Sequence, residues 1–275
     1  MSARRGPNSQ FQAAHVVTGG SMCLYRNDQD RRFDADDQHV ITELWELPSD
    51  IPDAYTRLEA AERRLAAEHV FAWHPEFGYL SPFPEHCGTG LHVWAEFHLE
   101  GLSLIGDLQP VRAGIEAMRM TFHGVDADGI HNAGHIFRIW NNATLGLPER
   151  KLVRRVMRTF EDLVTQELYA RQMLIEDTPR IFEDSIMRAL AILRSARLLS
   201  PWELFDLLSP IRLAANMGYI AGITGSEVIS LMAAQAKKPD LPPPQSIADE
   251  RRRDNRDAAL ADRINKRFAR VEFTF

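Results

Sequence analysis

Residues 77–92 read FGYLSPFPEHCGTGLH, and the change of pattern at the end of this run governs how its surroundings are read. Pro82 and Pro84, with Gly78, Gly88 and Gly90, bar regular structure up to residue 90. From Leu91 the chain alternates strictly. Leu91, Val93, Ala95, Phe97 and Leu99 face one side, and His92, Trp94, Glu96 and His98 the other, which is the signature of a half-buried strand.

Working outward, runs near 21–26, 31–35 and 39–47 read as strands. Asp50–Phe71 reads as a helix: Ser49 is a suitable N-cap, Pro52 is tolerated in the first turn, and Tyr55, Leu58, Ala61 and Leu65 follow the 3.6 period. Beyond the strand come a helix near Leu108–Met118 and strands near Met120–Val125 and His135–Asn141. From Pro148 the pattern is helical, near 148–175, 179–199, 201–217 and 225–237. The run PDLPPP at 239–244 is a stiff break before a charged helix at 246–270. Strands first and helices later predict an α+β fold, an antiparallel sheet carrying helices on one side. The domain reading is a flexible segment 1–19 ending at Gly19–Gly20, one domain over 20–237, and a Pro-rich break with terminal helix over 238–275.

Composition narrows the class. With 275 residues, 45% apolar and 25% charged, the chain is long enough to bury a core without staples. A net charge of −6 and a pI near 5.9 give no general attraction to nucleic acid or anionic membrane. The basic clusters Arg154, Arg155, Arg158 and Arg251, Arg252, Arg253 read as solvated helix faces. Two cysteines, Cys23 and Cys87, make no framework of bridges, and no apolar run has the roughly 18–20 residues a membrane span needs. The expected location is the cytoplasm. Trp45, Trp73, Trp94, Trp140 and Trp202 read as packing residues, and Cys87 as a small buried hydrophobe.

The motifs add a resemblance. The run 77–92 is similar to the loop and strand of the ATP:guanido phosphotransferases, and most of all the bacterial protein-arginine kinases, whose pattern is roughly GYLTxCPTNxGTGLR. Gly78, Tyr79, Leu80, Pro84, Gly88, Thr89, Gly90 and Leu91 keep its frame. Phe83 stands where the reactive Cys belongs, His86 for Asn and His92 for a phosphate-binding Arg. Asp36–His39 align with the family's Glu-Glu-Asp-His. Residues 122–146, FHGVDADGIHNAGHIFRIWNNATLG, resemble RGTxGEG…GNIFQISNQxTLG; 182–223 resemble the LEDRxYRSYG…LSDVRLGxDLGYI stretch; and RDNRDA at 253–258 resembles the RDxxRA element.

The resemblance covers about 20–260 and implies the family's catalytic-domain architecture, a saddle-shaped, glutamine-synthetase-like sheet with helices. It implies Mg-ATP as cofactor, held by five arginines. Two belong to a Ser-Arg-x-Arg segment of a helical N-terminal domain that these residues are not expected to supply. The other three map to Ile41, His92 and His123. Asp37 and Asp128 map to the catalytic carboxylates, each one methylene shorter than the family's Glu. Loss of several charge-assisted contacts, each contributing about 1.5–3 kcal/mol, argues against phosphoryl transfer. In the phosphoarginine-like element Arg253 and Asp254 match, but Asp257 replaces the second arginine and is expected to repel a phosphate.

Three functional readings follow. The first is a pseudokinase with a binding or regulatory role, engaging an arginine-containing protein, an active kinase homologue or a separate N-terminal domain, with a homodimer also implied. The second is ATP-dependent transfer to arginine, completed by another chain. The third is a metal-binding cleft using His86, His92 and His123, imidazole being a common ligand of transition metals. A variant of the first lets protonated histidines bind phosphate below about pH 6.5.

Overall fold

The computed structural model describes residues 11–20, 31–34, 40–46, 51–68, 70–80, 87–124, 132–142, 144–236 and 246–274. In chain order its elements begin with strands β1 (Phe11–Gly20), β2 (Arg31–Asp34) and β3 (Val40–Glu46), then helix α1 (Ile51–Glu68). There follow β4 (Trp73–His74), β5 (Gly78–Tyr79), β6 (Leu91–His98), α2 (Glu100–Ile105), α3 (Leu108–Ala117), β7 (Met120–Gly124) and β8 (Ile136–Asn141). The rest is α4 (Glu149–Glu176), α5 (Pro179–Ser195), α6 (Pro201–Met217), β9 (Ile220–Ala221), α7 (Gly225–Ala236), α8 (Ile247–Phe268) and β10 (Glu272–Phe273). The chain divides into two compact units, 1–98 with 107–125 and 137–166, and 99–106 with 126–136 and 167–275.

The first unit is built on a six-stranded sheet in the order β2-β3-β1-β6-β8-β7. The pairs β1–β3, β1–β6, β2–β3 and β7–β8 are antiparallel. The alternation on β6 is observed from Leu91 to Phe97, Leu91, Val93, Ala95 and Phe97 being buried and His92, Trp94 and Glu96 half-buried, but His98, expected on the polar face, is buried as well. The apolar face receives Ile51, Ala54 and Leu58 of α1 and Leu152, Val156, Phe160 and Leu163 of α4. Phe160 meets Phe97 edge-on with ring centroids 5.1 Å apart. Each large apolar side chain so buried contributes about 1.5–3 kcal/mol.

Two expectations change here. Residues 11–19, expected to belong to a flexible segment, instead form most of β1, which lies between β3 and β6. FQAAHVVTGG has little alternation of its own, so its strand state comes from pairing on both sides, which local pattern does not reveal. The short helix α2 is also new, six residues being too few for a periodic signal. The run 21–26 lies outside the described residues.

The β6–β8 junction is tied by a side chain. Asn141 Oδ1 accepts from Val93 N at 2.7 Å and its Nδ2 donates to Leu91 O at 3.0 Å, both buried. Asn141→Leu is expected to cost roughly 2–4 kcal/mol, because a buried donor and a buried acceptor each lose a partner. A urea titration checks this, and a loss under 1 kcal/mol would mean that the strands re-pair without it.

In the second unit, α5, α6, α7 and α8 enclose a core that includes Leu190, Leu193, Leu204, Leu208, Ile211, Leu260, Ile264 and Phe268. Ser200 and Ser246 cap α6 and α8, accepting from Glu203 N and Asp249 N. The terminal helix is therefore part of this core, not an appendage beyond a break.

A charged cluster lies beside that core. Glu100, Glu167, Arg171, Ser209 and Arg212 are all at most 5% exposed. Glu167 accepts from Gly101 N at 2.9 Å, Leu102 N at 3.0 Å and Arg171 Nε at 2.6 Å. Burial pushes the Glu167 carboxyl up, against the pull of Arg171 and these N–H groups. Burial and the neighbouring Arg171 push Arg212 down to about 9. Glu100 accepts from Ser209 Oγ and lies 2.5 Å from His135 Nδ1. Burial alone would lower His135; Glu100, then Asp206 and Glu167, raise it above its ordinary value of 6.5.

A raised histidine stabilises the fold most below its unfolded value and loses that contribution as pH rises through its folded value. Wild-type stability minus that of His135→Gln should therefore be largest below about pH 6.5 and shrink above it. Paired urea titrations from pH 5.5 to 8.5 measure the difference. A difference that is flat or grows with pH contradicts the assignment.

Candidate functional site

The frame of the 77–92 run is explained by backbone crowding. Tyr79 N donates to Gly88 O and Gly88 N to Tyr79 O. Gly88 has φ +105°, and a Cβ there would lie 2.5 Å from Thr144 O. Thr89 N and Oγ1 both donate to Thr144 O, and Thr144 Oγ1 donates to Cys87 O at 2.5 Å. Tyr79 is anchored to α1 by a 2.5 Å hydrogen bond to Glu62. These are requirements of the fold, so they persist whatever chemistry the loop carries. Of the other loop positions, Gly90 has φ +64° and is buried, while Phe83 and His86 lie outside the described residues.

The polar face of the sheet carries the candidate site. By alternation His92, Trp94 and Glu96 of β6 share it with Thr121 and His123 of β7 and Arg138 and Trp140 of β8. Arg138 lies directly across the ladder from His123. Its guanidinium carbon sits 4.1 Å from the centre of the Trp94 ring, and Nη2 donates to Glu96 Oε1 at 2.6 Å. His123 Nδ1 is 2.7 Å from the carbonyl of Gly124, a contact in which that nitrogen donates, so only Nε2 is left to meet a ligand.

The remaining expected positions are dispersed. Ile41 is on β3, opposite Gly19 of β1 and Asp34 of β2. Asp37 and Asp128 lie outside the described residues. His92 and His123 stand on β6 and β7 with β8 between them, roughly 10 Å apart by strand spacing alone. Ligands to one zinc lie about 2.0–2.1 Å from it, and among the described residues no three His, Cys, Asp or Glu side chains gather to hold a metal. In the second unit Arg253 is half-buried and Asp254 exposed on α8. Asp257, expected to present a bare negative charge, is held by Arg256 Nε at 2.9 Å, and its carbonyl accepts from Leu199 N.

Other readings fare unevenly. Arg154 and Arg155 bond to the carbonyls of Arg150 and Met118, as solvated helix residues do. Trp73 and Trp202 are 58% and 42% exposed, so these two are not packing residues. Sequence reasoning missed Arg138, Trp94 and Glu96 as a unit. The alternation placed Trp94 and Glu96 together, but nothing local linked them to a residue 42 positions on.

With this geometry in hand, comparison with known proteins defines the class. Residues 36–170 match the family model of the ATP:guanido phosphotransferase C-terminal catalytic domain, and residues 179–274 that of the protein-arginine kinase McsB C-terminal domain. The protein-arginine kinase of Clostridium novyi is 32% identical over 233 residues, covering 82% of this chain and 68% of the relative. Those of an Exiguobacterium species and of Moorella thermoacetica are 31% and 33% identical over 171 residues, 62% of this chain and 49% of theirs. Among solved structures, a lombricine kinase overlaps with a TM-score of 0.46 at 14% identity, over 62% of this chain and 68% of its own.

The chain belongs to the ATP:guanido phosphotransferase family, with protein-arginine kinases among its relatives. It spans from about half to two thirds of the length of the curated relatives it matches. Among the described residues, no helix is long and apolar enough to cross a membrane.

Proposed function

We infer that this chain is a pseudokinase, a guanido-kinase fold retained for binding rather than for phosphoryl transfer. The observation that carries this reading is the charge on the sheet face. The three positions that correspond to phosphate-binding arginines hold Ile41, His92 and His123. His123 spends its Nδ1 proton on its own backbone, and Arg138 is paired with Glu96. The residues present therefore do not fit Mg-ATP, whose transferring phosphoryl group needs cations around it.

A protein partner suits what remains. Val70, Trp73, Phe77 and Leu80 are 44–99% exposed around the β4–β5 hairpin, the kind of apolar surface that marks protein contacts. The occupant proposed is an arginine-containing protein or an active kinase homologue, with self-association as a further possibility to be measured. The test is an incubation with Mg-ATP and arginine-containing protein substrate, reading ADP release and acid-labile phosphate. This reading expects neither above a no-enzyme control; turnover of either would overturn it.

A further inference from the structure

The exposed face of the sheet already holds a guanidinium group, and that group belongs to the chain itself. Trp94 supplies an aromatic face 4.1 Å below the Arg138 guanidinium carbon, and Glu96 supplies a carboxylate 2.6 Å from Nη2. These are the two elements by which proteins recognise planar cations, a π face and a charge-assisted hydrogen bond. The receiving carboxylate is the better-fixed partner: the Glu96 side chain is 15% exposed and that of Arg138 40%.

Arg138 fits imperfectly. One nitrogen, Nη2, reaches Glu96, and Nε is buried without a hydrogen-bond partner among the described residues. The tether to β8 accounts for this. A side chain rooted on the neighbouring strand reaches the carboxylate from the side and cannot turn its fork toward both oxygens. A guanidinium arriving from outside has no such constraint and can engage the carboxylate with two parallel N–H groups, the stronger arrangement.

We propose that Trp94 and Glu96 form a guanidinium seat that the chain closes with its own Arg138, so that an arginine side chain of another protein binds there by displacing it. The tether gives Arg138 an effective concentration on the order of millimolar or above. A lone guanidinium ion competes poorly with it, whereas an arginine on a protein held by other contacts competes on equal terms. The contact is thus autoinhibitory. It rests on the binding reading above for its purpose, but needs no nucleotide, so absence of Mg-ATP binding leaves it standing.

The test titrates methylguanidinium chloride into wild-type protein and Arg138→Ala at constant ionic strength, following the Trp94 indole N–H resonance, assigned with Trp94→Phe. Arg138→Ala should half-saturate at a concentration at least tenfold lower than wild type. Methylammonium should show no such difference, and Glu96→Gln in the Arg138→Ala background should abolish the gain. Equal responses in wild type and Arg138→Ala, or equal responses to the two cations, would overturn the proposal. If Arg138→Ala does not fold, Arg138→Gln keeps most of the stem and carries the same titration.

Discussion

Glu167→Ala is expected to lower folding stability by about 3–5 kcal/mol, the cost of removing one partner from a buried ion pair. Glu167 is 1% exposed and does three jobs at once. It receives the first N–H groups of α2, from Gly101 and Leu102, and it neutralises Arg171. Without it Arg171 and Arg212, both at most 5% exposed, face each other with the nearest compensating charge gone. Against a total stability of about 5–15 kcal/mol, such a loss leaves a marginal second unit. Urea denaturation followed by helix signal measures it. Changing Glu167 and Arg171 together to methionine should recover part of the loss, because a buried pair replaced by apolar side chains leaves one orphaned charge fewer. A loss below 1 kcal/mol in the single variant would mean that water reaches the cluster.

The second large effect is a gain. His92→Arg with His123→Arg should raise Mg-ATP affinity by at least about a hundredfold, from charge-assisted hydrogen bonds contributing about 1.5–3 kcal/mol each. The gain carries a cost, because an arginine at 123 lies directly across the ladder from Arg138. Like charges so placed destabilise a sheet by roughly 0.2–1 kcal/mol. Turnover is not expected to follow, since residue 41 is still isoleucine. Calorimetric titration reads the affinity. An unchanged affinity would mean that these two positions do not face a phosphate site in this protein.

Much of the fold was legible because its signals are local. The alternation from Leu91 and the period of α1 each depend on residues within a few positions of one another. The strand β1 was not, since Phe11–Gly20 owes its state to β3 and β6. The site divides the same way. Gly88 and Thr89 could be read as a frame from the sequence, but only the crowding against Thr144 explains why the frame needs these residues. The charge inversion at Asp257 was visible, and the cation that answers it, Arg256, stands beside it in the sequence. The Trp94–Arg138–Glu96 contact was out of reach, because it joins two strands whose adjacency no local pattern states.

The central claim is that the family's nucleotide site has lost its phosphate-binding charge. Titration of Mg-ATP into the purified chain at pH 7, followed by calorimetry, tests it most directly. No heat of binding up to millimolar nucleotide is the expected result. Binding at micromolar nucleotide would contradict the account and would mean that the sheet holds phosphate without arginine at positions 41, 92 and 123.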